Sequence, residues 1–360
     1  MAGEKIRTGD IVDKQVTFSK LNGIINDYYN MHELKWISGA TNYELRINAT
    51  SDCPAGFAAS GLYLGRDRGY VLAQSDGRLM QNTANTTNDI SLGNGAGKLD
   101  AGSVTLGNWY GMFACDNGAG GFDLRGVTFI RVKAEAAGSP NIISCGEHFT
   151  PANSEDYVVT TDVYIGARIL VISGTARGKL VTVTGNDTSG GSTRFKYTST
   201  ALGLSAGDWL MISPQGVTNY RFVASVLVDS GGGINYFNIR NGIHKVPAVQ
   251  MLNINASASG LLDITQAVSP LASSCGGYFF MQQTAAALYD CTFLLGVLTT
   301  VWHKYFRHST DGATDERYYT SFSNLIVPIM DALITSQPQI AYTASITNTT
   351  LQLIINEFIE

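Results

Sequence analysis

The sequence predicts a mainly β protein, with antiparallel sandwich- or barrel-like domains preceded by a short N-terminal amphipathic helix. Three observations predict it. Charge is sparse, with 15% of the 360 residues charged and 44% hydrophobic. Glycine is abundant at 39 residues, beside 17 tyrosines and many Thr, Asn and Ser, a composition that suits strands joined by tight turns. Short apolar runs alternate with Gly/Asn/Asp clusters along most of the chain, the pattern of antiparallel strands and hairpins.

The helix comes first. From Phe18 to Leu34 apolar residues recur at spacings of three and four, with Thr17 fitting an N-cap. Its broad apolar face needs a partner, either the rest of the chain or other copies of the same helix. After Gly39 the texture changes. "YELRINAT" alternates, and "GLYLGRDRGYVLAQSDGRLM" reads as strand, turn and strand. The clusters "GNGAG", "DNGAGG" and "NDTSGGS" then separate "NWYGMFAC", "VTFIRVKA", "RILVISG", "KLVTVTG" and "STRFKYTS". "DSGGG" at 229–233 reads as a hairpin turn between alternating strands. "CTFLLGVLTTVWHKYFR" reads as a buried strand pair bent at Gly296. In the terminal run Leu351, Leu353 and Ile355 alternate with Gln352, Ile354 and Asn356, which makes a terminal strand.

Composition also restricts function. A net charge of -5 gives no electrostatic reason to expect nucleic-acid or anionic-membrane binding. "MAGEKIRTGD" is polar rather than signal-like, and no apolar run reaches membrane-span length, so the expectation is a soluble protein without membrane insertion. The five cysteines, Cys53, Cys115, Cys145, Cys275 and Cys291, have long irregular spacings and no CxxC. Buried or incidental thiols are expected there, not a metal site or a disulfide framework. No cofactor or metal is expected.

The motifs for chemistry are weak. "GNGAGKLDAGS" lacks the GxxxxGK[ST] pattern of a phosphate loop, because Leu99 follows Lys98. No GxSxG or calcium-loop pattern occurs, so the chain is not expected to be an enzyme. The most polar and aromatic stretch is "HKYFRHSTDGATDERYY". It reads as an exposed loop, with His303, Tyr305, His308, Asp311, Tyr318 and Tyr319 as candidate ligand contacts. Flat rings there could stack on sugars, and a carboxylate pair could serve glycoside hydrolysis.

Two central stretches carry a resemblance. "ISLGNGAGKLDAGSVTLGNWYGMFACDNGAGG" matches a G-A-x-G-L-D-x-G-S phrase before a W-Y strand, through Gly95, Ala96, Gly97, Leu99, Asp100, Gly102, Ser103, Trp109 and Tyr110. "PQGVTNYRFVASVLVDSGGGINYF" matches a second phrase through Pro214, Gly216, Thr218, Tyr220, Arg221, Asp229, Ser230, Gly231, Ile234 and Phe237. "GDIVDKQVTFSKL" matches a third through Ile11, Asp13, Val16, Thr17, Lys20 and Leu21. In this order the phrases resemble those of tailed-bacteriophage fibre-like proteins. Val217 stands where that pattern has tyrosine, and residues 122–213 separate phrases that are usually close.

The resemblance implies a virion appendage assembled in the host cytoplasm, usually a homotrimer contacting other virion proteins of the tail, collar or capsid. It also implies a host-facing role in adsorption. Residues 1–40 would be the anchor or trimerisation segment, with Phe18, Leu21, Ile25, Tyr28 and Tyr29 as its contact face. Residues 41–127 and 206–247 would form the fibre-like sandwich, 128–205 an inserted β subdomain and 248–360 a C-terminal β domain. The alternatives are a module binding host surface glycan through 303–319, and a collar, baseplate or decoration protein with an assembly role alone.

Overall fold

The computed structural model describes residues 34–35, 44–47, 70–72, 79–81, 86–150, 153–228, 233–235, 237–240, 243–283, 289–298, 301–310, 317–326, 339–347 and 349–359. Among them strands dominate, strands pair antiparallel, and the helical content is one 3-10 turn, Ile90–Leu92. The protein is mainly β, as the composition and turn spacing predict. Phe18, Leu21, Ile25, Tyr28 and Tyr29 lie outside the described residues. Leu34, the last apolar position of the expected helix, instead pairs with Ile239 as a strand.

A three-stranded sheet links the other parts. Its middle strand, Trp109–Asp116, pairs with Phe122–Thr128 on one side and Tyr220–Leu227 on the other. Trp109 through Cys115 are all buried, which explains a near-continuous apolar run where a one-sided strand would alternate. Successive side chains leave a strand on opposite faces. Tyr110, Met112 and Ala114 therefore enter one core with Leu99, Leu124 and Val226. Phe113 and Cys115 enter a second, and Trp109 reaches a third. The hairpin after Asp116 is fixed locally. Asp116 Oδ1 accepts from Gly118 N at 2.8 Å, and Asn117 Oδ1 from Ala119 N at 2.9 Å and Gly121 N at 3.1 Å. Gly118 sits at φ 76, a left-handed value that glycine adopts without Cβ strain.

The second core fills a sheet of eight strands. In spatial order seven of them are Leu180–Thr182, Arg168–Val171, Trp209–Ile212, Ile130–Ala136, Asn141–Thr150, Ser192–Tyr197 and Gly185–Ser189, and Asn153–Asp156 also pairs with Asn141–Thr150. Its first and last strands are separated in sequence by residues 183 and 184 alone. Val183 N bonds Ala167 O at 2.8 Å, while Thr184 N bonds Lys196 O at 2.8 Å. One continuous segment thus holds both ends of the sheet together, which curls it like a barrel. Val132, Ile143, Phe195, Leu210 and Ile212 are among the side chains inside. Trp209–Ile212 belongs to this sheet, although it lies beyond residue 205 in sequence.

The third core lies between two further sheets. One runs Leu34–Lys35, Asn238–Arg240, Ile243–Ile254, Thr349–Ile359, Ser274–Gln283 and Arg317–Ile326. The other runs Ala258–Asp263, Gln339–Thr347, Tyr289–Leu298 and Val301–Thr310. Ile340, Ala344 and Ile346 of the second pack in one cluster with Leu351, Leu353 and Phe279 of the first. Burying side chains of this size contributes about 1.5–3 kcal/mol each. The C-terminal strand is central in its sheet. Its alternation holds to Ile355 and then changes phase, so that Phe358 is buried. The cause is a bulge: Gly276 faces Glu357 and Gly277 faces Ile355, leaving Asn356 without an opposite residue. A Cβ on Gly277 would collide with the Ile354 carbonyl oxygen, so the bulge requires glycine there.

Candidate functional site

The stretch singled out for ligand contact is not a single loop. His303, Tyr305 and His308 lie on Val301–Thr310, at the edge of the four-stranded sheet. Tyr318 and Tyr319 lie on Arg317–Ile326, at the edge of the six-stranded sheet, opposite Met281 and Phe280. Regular pairing replaces the expected loop because apolar strands 274–283 and 289–298 each offer an edge to pair with. Asp311 lies outside the described residues. The backbone places these candidates on two sheets rather than around one site. Among the described residues no His, Cys, Asp and Glu group is arranged to hold a metal. Cys115, Cys145 and Cys275 are free and buried, and burial pushes the Cys275 thiol up to about 12.

Two other places concentrate chemistry. The first is a buried junction around Asp100, which is fully inaccessible. Four segments converge on it. The glycine-rich loop carries Asp100 and lies along Phe122–Thr128, through Gly97 N to Leu124 O at 2.9 Å, Gly126 N to Lys98 O at 3.0 Å and Asp100 N to Gly126 O at 2.7 Å. That strand supplies Arg125, whose Nη1 donates to Asp100 Oδ1 at 3.3 Å and to Gln215 O at 3.2 Å. The turn before Tyr220–Leu227 supplies Gln215. Its N donates to Asp100 Oδ2 at 2.9 Å and its Nε2 to Asp100 O at 2.5 Å. The barrel supplies Tyr164, whose hydroxyl bonds the Asp100 carboxylate and accepts from Tyr157 Oη at 3.1 Å.

Burial pushes Asp100 up to about 6, against the opposing pull of the Gln215 amide and the Arg125 guanidinium. Burial also raises Tyr164 well above the ordinary tyrosine range. A carboxyl with such a pKa has the chemistry of a general acid or base. Here it is sealed from solvent and its oxygens are already engaged, so the arrangement holds segments together. Glu135 plays a comparable part on the barrel. Its oxygens accept from the Leu202, Gly203 and Leu204 amides at 2.8, 2.7 and 2.7 Å and from the Tyr197 hydroxyl.

The second place is an open groove of ≈ 400 Å³ at the seam between the barrel and the three-stranded sheet. Leu170, Leu180, Met211 and Val217 make apolar walls over Phe113, and Arg168, Ser213, Thr218 and Tyr220 supply polar groups. Two bonds fix the wall that carries Arg168. Arg168 N donates to Ser213 Oγ at 2.9 Å, and Ser213 N donates to Arg168 O at 2.8 Å. Tyr220 is held edge-on to Phe113, with ring centroids 5.8 Å apart.

Sequence reasoning marked Asp100, Thr218 and Tyr220 as phrase residues but missed Arg125, Gln215 and Arg168 as their neighbours. Separate pairings bring these residues together: Phe122–Thr128 with Trp109–Asp116 places Arg125, Tyr220–Leu227 with the same strand places the turn carrying Gln215, and Arg168–Val171 with Trp209–Ile212 places Arg168. Neither a protein-family model nor a curated protein sequence matches this chain.

Proposed function

We propose that this chain is a non-enzymatic structural component of a bacteriophage virion, a fibre or a tail or head appendage that faces the host and takes part in adsorption. It works as a homotrimer alongside other virion proteins. The observation that carries the proposal is the meeting of the two central phrases. Trp109 and Tyr110 of the first pair with Leu227 and Val226, in the strand inside the second. Asp100 of the first is hydrogen-bonded to Gln215, inside the second. The two phrases therefore form one module, although residues 122–213 lie between them. The barrel leaves this module after Thr128, where Phe129 N bonds Trp109 O at 3.0 Å, and the chain returns to it after Ile212, the end of the last barrel strand. An insertion attached in this way leaves the parent sheet intact, which answers the unusual spacing of the phrases.

Labelling the parent particle with antibody against residues 128–205, followed by cryo-electron microscopy, tests the assignment. Density for the chain at a fibre, tail or head appendage is the expected result. Density confined to a collar, baseplate or capsid lattice would leave an assembly role alone, and absence from the particle would overturn the proposal. Light scattering of the purified chain tests the stoichiometry, because a monomer at micromolar concentration is incompatible with a homotrimer.

A further inference from the structure

We propose that the seam groove is a binding site for a saccharide unit bearing one carboxylate, the chemistry of a uronic acid. The inference rests on the groove alone and does not need the virion assignment. Three observations carry it.

The first is charge. Among the described residues Arg168 is the one charged side chain lining the groove, and no carboxylate lines it. Its guanidinium has no hydrogen bond or ion pair among the described residues. Asp187 is contacted by Arg194 at 2.7 Å and Lys196 at 2.6 Å, and Arg125 by Asp100 and Asp123, so these three cations are already engaged. A single planar guanidinium matches one carboxylate in charge and in paired geometry, whereas a dianion would stay half neutralised.

The second is unused hydrogen-bonding capacity. The Thr218 and Tyr220 hydroxyls have no partner among the described residues. Ser213 Oγ is occupied as an acceptor by the Arg168 amide, which leaves its own proton available to donate. Hydroxyl groups on a ligand rim fit this set.

The third is shape. Leu170, Met211 and Val217 line the groove beside those polar groups, Leu170 sharing one strand face with Arg168. A pyranose ring has such a division, with C–H faces and a hydroxylated edge. At ≈ 400 Å³ the groove falls within the range of about 300–1,000 Å³ usual for small-ligand sites. It holds one or two sugar units.

Saturation-transfer NMR on the full chain, with glucuronic acid, glucose and benzoate as separate probes, tests the proposal. Glucuronic acid is expected to receive saturation at millimolar concentration and glucose to bind at least tenfold more weakly. Arg168→Gln is expected to weaken glucuronic acid binding at least tenfold with an unchanged melting temperature. Thr218→Glu, at an exposed position, is expected to do the same by repulsion. Equal binding of glucose and glucuronic acid, unchanged binding by Arg168→Gln, or no binding of either sugar would overturn the proposal. Binding of benzoate without glucuronic acid would overturn the sugar assignment as well.

Discussion

The Asp100 junction and the Arg168 groove are joined by a few residues of chain, Gln215 to Val217, yet they treat polar groups in opposite ways. At the junction the Asp100 carboxylate engages Arg125, Gln215 and Tyr164, and solvent does not reach it. In the groove a guanidinium and two hydroxyls face water with no partner among the described residues. Saturation holds segments in place, because each buried group is costly to leave unpaired. Spare capacity on a fixed frame is what a ligand needs. The junction fixes the turn from which Thr218 and Tyr220 extend, so the first region builds the second.

The sharpest way to break this contrast is Arg125→Met. Removing one partner of a buried pair leaves the other uncompensated, at a cost of about 3 kcal/mol or somewhat more. The loss should be greater at pH 8 than at pH 5, because Asp100, already raised to about 6, is largely protonated at the lower pH and needs no cation. Urea unfolding followed by tryptophan fluorescence measures both. An equal loss at the two pH values would mean that Arg125 acts through packing alone.

Asp100→Asn comes next. The folded-state pKa of about 6 lies above the ordinary 3.8, so the folded chain holds the proton more tightly than the unfolded one. The stability this contributes is fully present below about pH 4 and is lost as pH rises through about 6. Roughly two pKa units correspond to about 2–3 kcal/mol. The stability difference between the native chain and Asp100→Asn should fall by that amount from pH 4 to pH 7. A difference independent of pH would mean that Asp100 titrates at its ordinary value.

How much of this was legible in the sequence depends on how local each cause is. The Trp109–Cys115 strand was readable because burial on both faces leaves a continuous apolar run. The hairpin after it was readable because Asp116, Asn117 and Gly118 act within five residues. In the C-terminal strand, alternation was readable to Ile355, but the phase change at Asn356 depends on Gly276 and Gly277 in a distant strand. The junction was visible only as a phrase around Asp100, since Arg125 and Gln215 reach it through pairing of separated strands. The groove left no local trace, because its walls come from residues 113, 166–180 and 211–220. Composition suggested the opposite at His303–Tyr319, where polar and aromatic residues adjacent in sequence are divided between two sheets.

A smaller effect tests whether the glycine-rich loop must lie tight against its strand. A Cβ on Gly126 would sit 2.7 Å from Ile90 Cγ2, in the segment that leads into the Asp100 loop. Gly126→Ala should destabilise by about 1–2 kcal/mol through overpacking. In a double-mutant cycle with Ile90→Ala the two changes should cost less than their sum, because the second removes the obstruction. Strict additivity would mean that the loop shifts freely and does not fix Asp100.

The smallest effect belongs to the groove. Arg168→Met should change stability by less than about 0.5 kcal/mol, since the guanidinium is exposed and no bond within the described residues is lost. The backbone bonds between Arg168 and Ser213 survive the substitution, and the longer apolar stem of the side chain is largely kept. The same change of Arg to Met therefore costs several kcal/mol at position 125 and almost nothing at 168. A loss at 168 approaching that at 125 would mean that Arg168 supports the seam itself. The groove would then be part of the scaffold rather than a place where the scaffold leaves its charge available.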